Sequence, residues 1–220
     1  MKFKKLIFFA LIGGFTFMLI ACNNDNSHNF PLHDMSEYDI EGGHRFYYVT
    51  MYEALQLRDD DSFNGILYFG FPGCDWCQAA VPVIHEASQQ TETDIFYVSR
   101  RSDLREGEWL EWDVQMAWWL DGQIEMRWLY YDEEGNETTQ PTDEPARPNI
   151  FVPQIIHLRN GAVVDSHRGT FEGHERLEDN TLPALTDAED ATLLATYMRI
   201  FAAVSEPEAC GVGDEVEDCS

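Results

Sequence analysis

Hydrophobic and polar positions alternate along the chain in a way that divides it into short, well-separated elements. His44 to Val49 (HRFYYV) is dense in aromatic and β-branched residues and predicts a strand. Thr50-Met51-Tyr52-Glu53 is a capping-box pattern, opening a short helix that ends among Asp59, Asp60 and Asp61. Gly65 to Phe71 (GILYFGF) is a nearly unbroken apolar run, as expected of a strand covered on both faces. Cys74 follows at once, and Gln78 to Gln90 predicts a helix with Val81, Ile84 and His85 near one stripe. Asp94 to Ser99 (DIFYVS) reads as another buried strand.

Residues 101–149 fit this rhythm less well. Glu108 to Leu120 predicts a helix with Trp109, Trp112, Met116 and Trp119 on one face, stopped by Asp121-Gly122. Ile124, Met126, Trp128 and Tyr130 alternate like a strand, Glu134-Gly135-Asn136 resembles a turn, and Thr138 to Pro148 reads as loop. Asn149 to Arg159 and Ala162 to Arg168, joined at Asn160-Gly161, predict a hairpin. A second capping box, Thr186-Asp187-Ala188-Glu189, precedes a helix that includes Leu193 to Val204. The order of elements is that of an α/β protein with a central mixed sheet.

Charge changes the picture at the N-terminus. The 220 residues carry 14 Lys+Arg against 40 Asp+Glu, a net charge of −26. All three lysines fall within residues 1–5, followed by an uncharged run from Leu6 to Ile20 and then Ala21-Cys22. A basic start, a short apolar stretch and a small residue before a cut predict an export signal over residues 1–21. The run is also short of the roughly 20 residues of a spanning helix. Removal of the signal leaves 11 arginines, the same 40 acids and no lysine, a net charge of −29. Such a surface repels phosphate backbones and anionic lipid headgroups, which argues against nucleic-acid binding and electrostatic membrane adhesion. A hydrophobic content of 44% is enough for a core and argues against disorder. Residues 22–40 read as a polar spacer, 41–205 as one folded domain, and 206–220 as an acidic tail.

The chemistry lies in the cysteines. Cys74 and Cys77 (FPGCDWC) stand where a buried strand turns into a helix. A helix N-terminus offers unpaired N–H groups and partial positive charge, which favour a thiolate on the first cysteine. The two-residue spacing places the second thiol within reach of a mixed disulfide on the first, and this setting favours redox chemistry over zinc. Cys210 and Cys219 form a second pair in the tail, a structural disulfide or, alternatively, a shuttle pair for the first. A zinc site joining all four cysteines is disfavoured by the C-x8-C spacing, so no metal and no cofactor are assigned. The histidines show no metal spacing, and His85 and His157 read as packing residues. Five tryptophans between 109 and 128 either pack an inserted helix or form an aromatic platform for peptide.

Two resemblances sharpen these expectations. Leu19-Ile20-Ala21-Cys22 resembles the bacterial lipobox, implying that Cys22 is acylated and tethers the body to the extracytoplasmic face of the cell membrane. The C-x-x-C at a strand–helix junction, Pro82 five residues beyond it, Val152-Pro153 and the following hairpin with Gly169 resemble the thioredoxin family over residues 44–100 and 149–205. That resemblance implies a thioredoxin fold with a Trp-rich insertion at about 101–148, before the strand that follows a cis-proline. It implies that Cys74 is the nucleophile and Cys77 the resolving thiol, with Val152, Pro153 and Trp76 contacting substrate. Departures are Asp75-Trp76 between the cysteines, Asp75 raising the Cys74 pKa, and Tyr68 where typical reductive members carry a buried acid. The insertion is expected on the active-site side. The implied activity is that of a membrane-anchored thiol–disulfide oxidoreductase acting on protein or peptide cysteines, with a membrane redox partner. The alternative is a non-catalytic partner-binding lipoprotein on the same scaffold.

Overall fold

A computed structural model describes residues 30–99, 109–131, 137–138 and 146–206. Five strands build the central sheet: β1 (Phe46–Val49), β2 (Asn64–Gly70), β3 (Ile95–Ser99), and, numbered in chain order after β4–β6 below, β7 (Gln154–Arg159) and β8 (Ala162–Arg168). Their order is β1-β3-β2-β7-β8, with β3 parallel to both β1 and β2 and the hairpin β7–β8 antiparallel. This is a mixed α/β sheet flanked by helices, as expected. The unbroken apolar runs of β2 and β3 follow from this position, since both strands are covered on both faces.

Alternate residues of these strands feed two cores. On one face Ile66, Tyr68, Ile95, Tyr97 and Ile155 pack against α2 (Asp75–Thr91) and α4 (Asp187–Ala202). On the other, Leu67, Phe69, Phe96, Val98 and Ile156 pack against α1 (Met51–Arg58) and α3 (Trp109–Leu120). Both expected capping boxes are present: Thr50 and Glu53 start α1, and Thr186 and Glu189 start α4, each bonding the other's backbone.

Four expectations are corrected. The spacer expected over 22–40 has given way to folded structure by Phe30, because Met35 and Tyr38 are buried in the first core and Leu32 bridges antiparallel to Tyr47 on the β1 edge. Helix α2 begins at Asp75 rather than Gln78, with Cys74 as its N-cap. The strand expected from Ile124 begins at Arg127 (β4, Arg127–Tyr131), and the expected loop holds the end of β5 (Glu137–Thr138) and the start of β6 (Arg147–Asn149). These three form a small antiparallel sheet, which also takes Asn149 away from the hairpin, so that β7 starts after Pro153. The inserted helix α3 covers the sheet face opposite α2, burying Met116, Ala117 and Leu120. Glu125, ion-paired to Arg168 at 2.6 Å, brings the segment after α3 toward Phe151, over which Arg168 stacks.

Candidate active site

The turn Phe71-Pro72-Gly73 closes with the Cys74 N–H donating to the Phe71 carbonyl and delivers Cys74 to the N-cap of α2. Cys74 is buried, 7% exposed, and Cys77 one turn later is wholly buried. Both are free thiols. The Cys74 sulfur accepts the Cys77 backbone N–H at 3.3 Å, taking the place a serine or threonine oxygen usually fills at a helix start. In its protonated form Cys74 also donates to the Val152 carbonyl at 3.9 Å. The Val152–Pro153 peptide bond is cis, and it stands opposite the dithiol. Pro82 lies inside α2, where it removes one intrahelical hydrogen bond.

The two thiols are pushed in opposite directions. Cys74 sits below the ordinary thiol value, chiefly through its hydrogen bond with the Cys77 thiol and then through the Cys77 and Trp76 backbone N–H groups. Burial opposes this, and so does the Asp75 carboxylate, in the expected direction. Cys77 is held far above the ordinary value, first by burial and then by Cys74, while Tyr68 pulls it the other way. The arrangement is an outer thiol that ionises more readily, backed by a deeper thiol that ionises only when driven.

Around the dithiol, the loop after β8 supplies contacts that sequence reasoning missed. Arg176 pairs with Asp75 at 2.6 Å and lies over the Trp76 ring at 4.6 Å. The Trp76 indole donates to the His174 carbonyl at 3.2 Å. His174 is fixed in turn by Thr170 at 2.6 Å and by the Pro183 carbonyl at 2.8 Å. The dipeptide between the cysteines is therefore clamped from a segment 100 residues downstream, and a lone arginine in an acidic loop was the available signal. The 3₁₀ turn Ser36–Tyr38 is tied to the same corner by Gln78, whose amide donates to the carbonyls of Glu37 and Pro72.

Of the expected site residues, the fold brings Cys74, Cys77, Trp76, Val152 and Pro153 together. Cys22, Cys210 and Cys219 lie outside the described residues, as do residues 1–21 and 207–220. His157 is buried away from the dithiol, sharing Asn64 with Arg159, and His85 packs near Phe46. Among the described residues, Trp118 and Trp128 are half exposed and meet edge to face at 5.7 Å, while Trp119 packs into the core beneath Arg58. No protein-family model matches the chain, and no curated protein matches it in sequence.

Proposed function

We propose that this chain is a thioredoxin-fold thiol–disulfide oxidoreductase, tethered through lipid on Cys22 to the extracytoplasmic face of a bacterial membrane and acting on protein or peptide cysteines. One observation carries the reading: two free thiols at a helix start, the outer sulfur accepting a helix backbone N–H beside the cis Val152–Pro153 bond and the inner one wholly buried. Cys74 thiolate attacks a substrate disulfide, forming a mixed disulfide and releasing one substrate thiolate. Cys77 then displaces the second substrate sulfur, closing the Cys74–Cys77 bond. The reverse sequence oxidises a substrate dithiol. Val152 and Pro153, beside Cys74, offer backbone for an extended substrate segment, and the Trp76–Arg176 stack forms a neighbouring wall.

The exposed Trp118–Trp128 pair favours a second reading, in which the insertion holds a partner and the dithiol stays bridged. Equilibration in glutathione buffers of graded ratio, followed by counting alkylatable thiols, separates the two. Oxidoreductase chemistry requires Cys74 and Cys77 to pass together and reversibly from thiols to disulfide. A pair that stays bridged at every ratio supports the binding reading instead.

A further inference from the structure

Four phenols from four elements lie around Cys77: Tyr38 from the 3₁₀ turn, Tyr68 from β2, Tyr97 from β3 and Tyr197 from α4, whose hydroxyl donates to the Gly169 carbonyl. The Tyr38 and Tyr97 hydroxyls satisfy one another at 2.8 Å. The Tyr68 hydroxyl is fully buried and has no hydrogen-bond partner among the described residues. A buried donor left unpaired is costly, and such groups call for an explanation.

Packing fixes where this hydroxyl sits. Tyr68 and Gly70 lie on the same face of β2, and the tyrosine ring folds along the strand over the place where a Gly70 side chain would be. A Cβ at Gly70 would fall 2.5 Å from the Tyr68 Cζ and closer still to the hydroxyl oxygen. The notch at Gly70, four residues before Cys74, lets the phenol run toward the dithiol, and the Tyr97 ring at 5.1 Å closes its other side. Among polar neighbours, the Cys77 thiol acts on Tyr68 most strongly.

We infer that the Tyr68 hydroxyl is the hydrogen-bond donor to the Cys77 thiolate, a partner that it lacks in the resting dithiol and gains when Cys77 ionises during exchange. The inference rests on the exchange reaction proposed above. In the resolving step the Cys77 proton passes to the substrate thiolate released by the first attack. The Cys77 thiolate attacks the Cys74 sulfur, the Cys74–Cys77 bond forms, and the bond from Cys74 to substrate breaks. Its electron pair leaves on the second substrate sulfur, which takes a proton from water, so two electrons pass from the dithiol to the substrate disulfide. Tyr68 keeps its own proton throughout. In the reverse direction it stabilises Cys77 as the leaving sulfur.

The surroundings make such a donor necessary. Facing Cys77 are Cys74 from its own helix, Tyr68 and Tyr97 from the sheet, Tyr38 from the 3₁₀ turn and Tyr197 from α4; Asp75 acts on Cys74, and Glu37 on Tyr97. No aspartate or glutamate is buried among the described residues, so no carboxylate lies deep enough there to take up the proton. Burial and Cys77 also keep the Tyr68 phenol well above its ordinary value, so it remains a donor.

The test uses full-length protein with Cys22, Cys210 and Cys219 changed to serine, mixed in stopped flow with 5,5′-dithiobis(2-nitrobenzoate). Thionitrobenzoate appears in two phases, the first from Cys74 attack and the second from resolution by Cys77. Tyr68→Phe is expected to slow the second phase about tenfold near neutral pH and to move its pH profile upward, leaving the first phase unchanged. Wild-type rate and profile in the second phase would overturn the role of Tyr68 alone. Absence of the first phase in the parent protein would instead overturn the exchange reading, and the role of Tyr68 with it. A second measurement is independent of the variant's folding. The Tyr68 ring-carbon resonance in the parent protein is expected to shift between dithiol and disulfide forms, and a resonance indifferent to that change would also overturn the inference.

Discussion

Gly70→Ala probes the packing beneath the dithiol. The Gly70 backbone is in a region open to any residue, so a side chain meets no backbone strain. What it meets is Tyr68, with the Cζ at 2.5 Å and the Cε1 at 2.7 Å, far inside the roughly 3.5–4.0 Å at which carbon atoms rest. The ring has little freedom to retreat, because it is fully buried and backed by Tyr97, itself bonded to Tyr38. Overpacking of this kind costs about 1–3 kcal/mol. The upper end applies here, because a rigid ring takes the clash rather than a flexible chain end. A loss of about 3 kcal/mol lowers Tm by roughly 6–12 °C for a domain of this size. Tyr68→Ala alone should cost about 3–5 kcal/mol by leaving a cavity. In that background the Gly70→Ala methyl enters empty space, so the double variant should be no less stable than Tyr68→Ala, a coupling of about 3 kcal/mol. Urea unfolding of the reduced proteins measures all four corners of the cycle. A Gly70→Ala variant within about 0.5 kcal/mol of wild type, or one whose cost persists undiminished without the tyrosine, would show that the phenol does not lie over Gly70.

Other predictions follow from the electrostatics. Alkylation of the reduced protein by iodoacetamide should occur at Cys74 with a midpoint below the ordinary thiol value of 9.0, while Cys77 stays unmodified; a midpoint at or above that value contradicts the acidified first thiol. Arg176→Ala frees the Asp75 carboxylate beside Cys74 and should move that midpoint upward, whereas Asp75→Asn should move it down and cancel the effect of removing Arg176. The pair is partly exposed, so both shifts should shrink in high salt, and insensitivity to either substitution would remove Arg176 from the site's electrostatics. His157 is buried, bonded to Asn64 at 2.8 Å, and burial lowers its pKa from 6.5 to about 4. The fold therefore favours the neutral imidazole. Its contribution is complete above pH 6.5 and is lost as pH falls from there toward 4, up to about 3 kcal/mol from the size of that shift. The stability difference between wild type and His157→Gln should narrow over that interval, and parallel pH profiles would refute this.

Much of the site could be read from the chain because its elements are signalled locally. The apolar run Gly65–Phe71 and the cysteines directly after it place a dithiol at a strand–helix junction, and capping boxes at Thr50 and Thr186 mark two helix starts without any tertiary information. The contacts that tune the site are of another kind. Arg176 reaches Asp75 across 101 residues, and nothing in the pattern around either residue names the other. Met35 and Tyr38 stand alone among polar neighbours, too sparse to show periodicity, yet both are buried by tertiary packing. Tyr68 was legible as a departure from an acid at that position, but the meaning of Gly70 appears only when the two share one strand face. In the insertion, Trp118 and Trp119 are adjacent in sequence and differ in exposure, because α3 turns Met116 and Leu120 toward α1 and leaves Trp118 to meet Trp128 outside. The short strands β5 and β6 carry too few residues for any alternation to register.

The central claim is that Cys74 exchanges disulfides with protein substrates while Cys77 releases them. Trapping tests it most directly: Cys77→Ala protein, expressed with its N-terminal segment intact, should accumulate mixed disulfides with cell-envelope proteins. They should be visible as dithiothreitol-sensitive conjugates on non-reducing gels and absent when Cys74 is also changed to serine. A Cys77→Ala protein that forms no conjugates, with Cys74 unreactive toward small disulfides as well, would contradict the account.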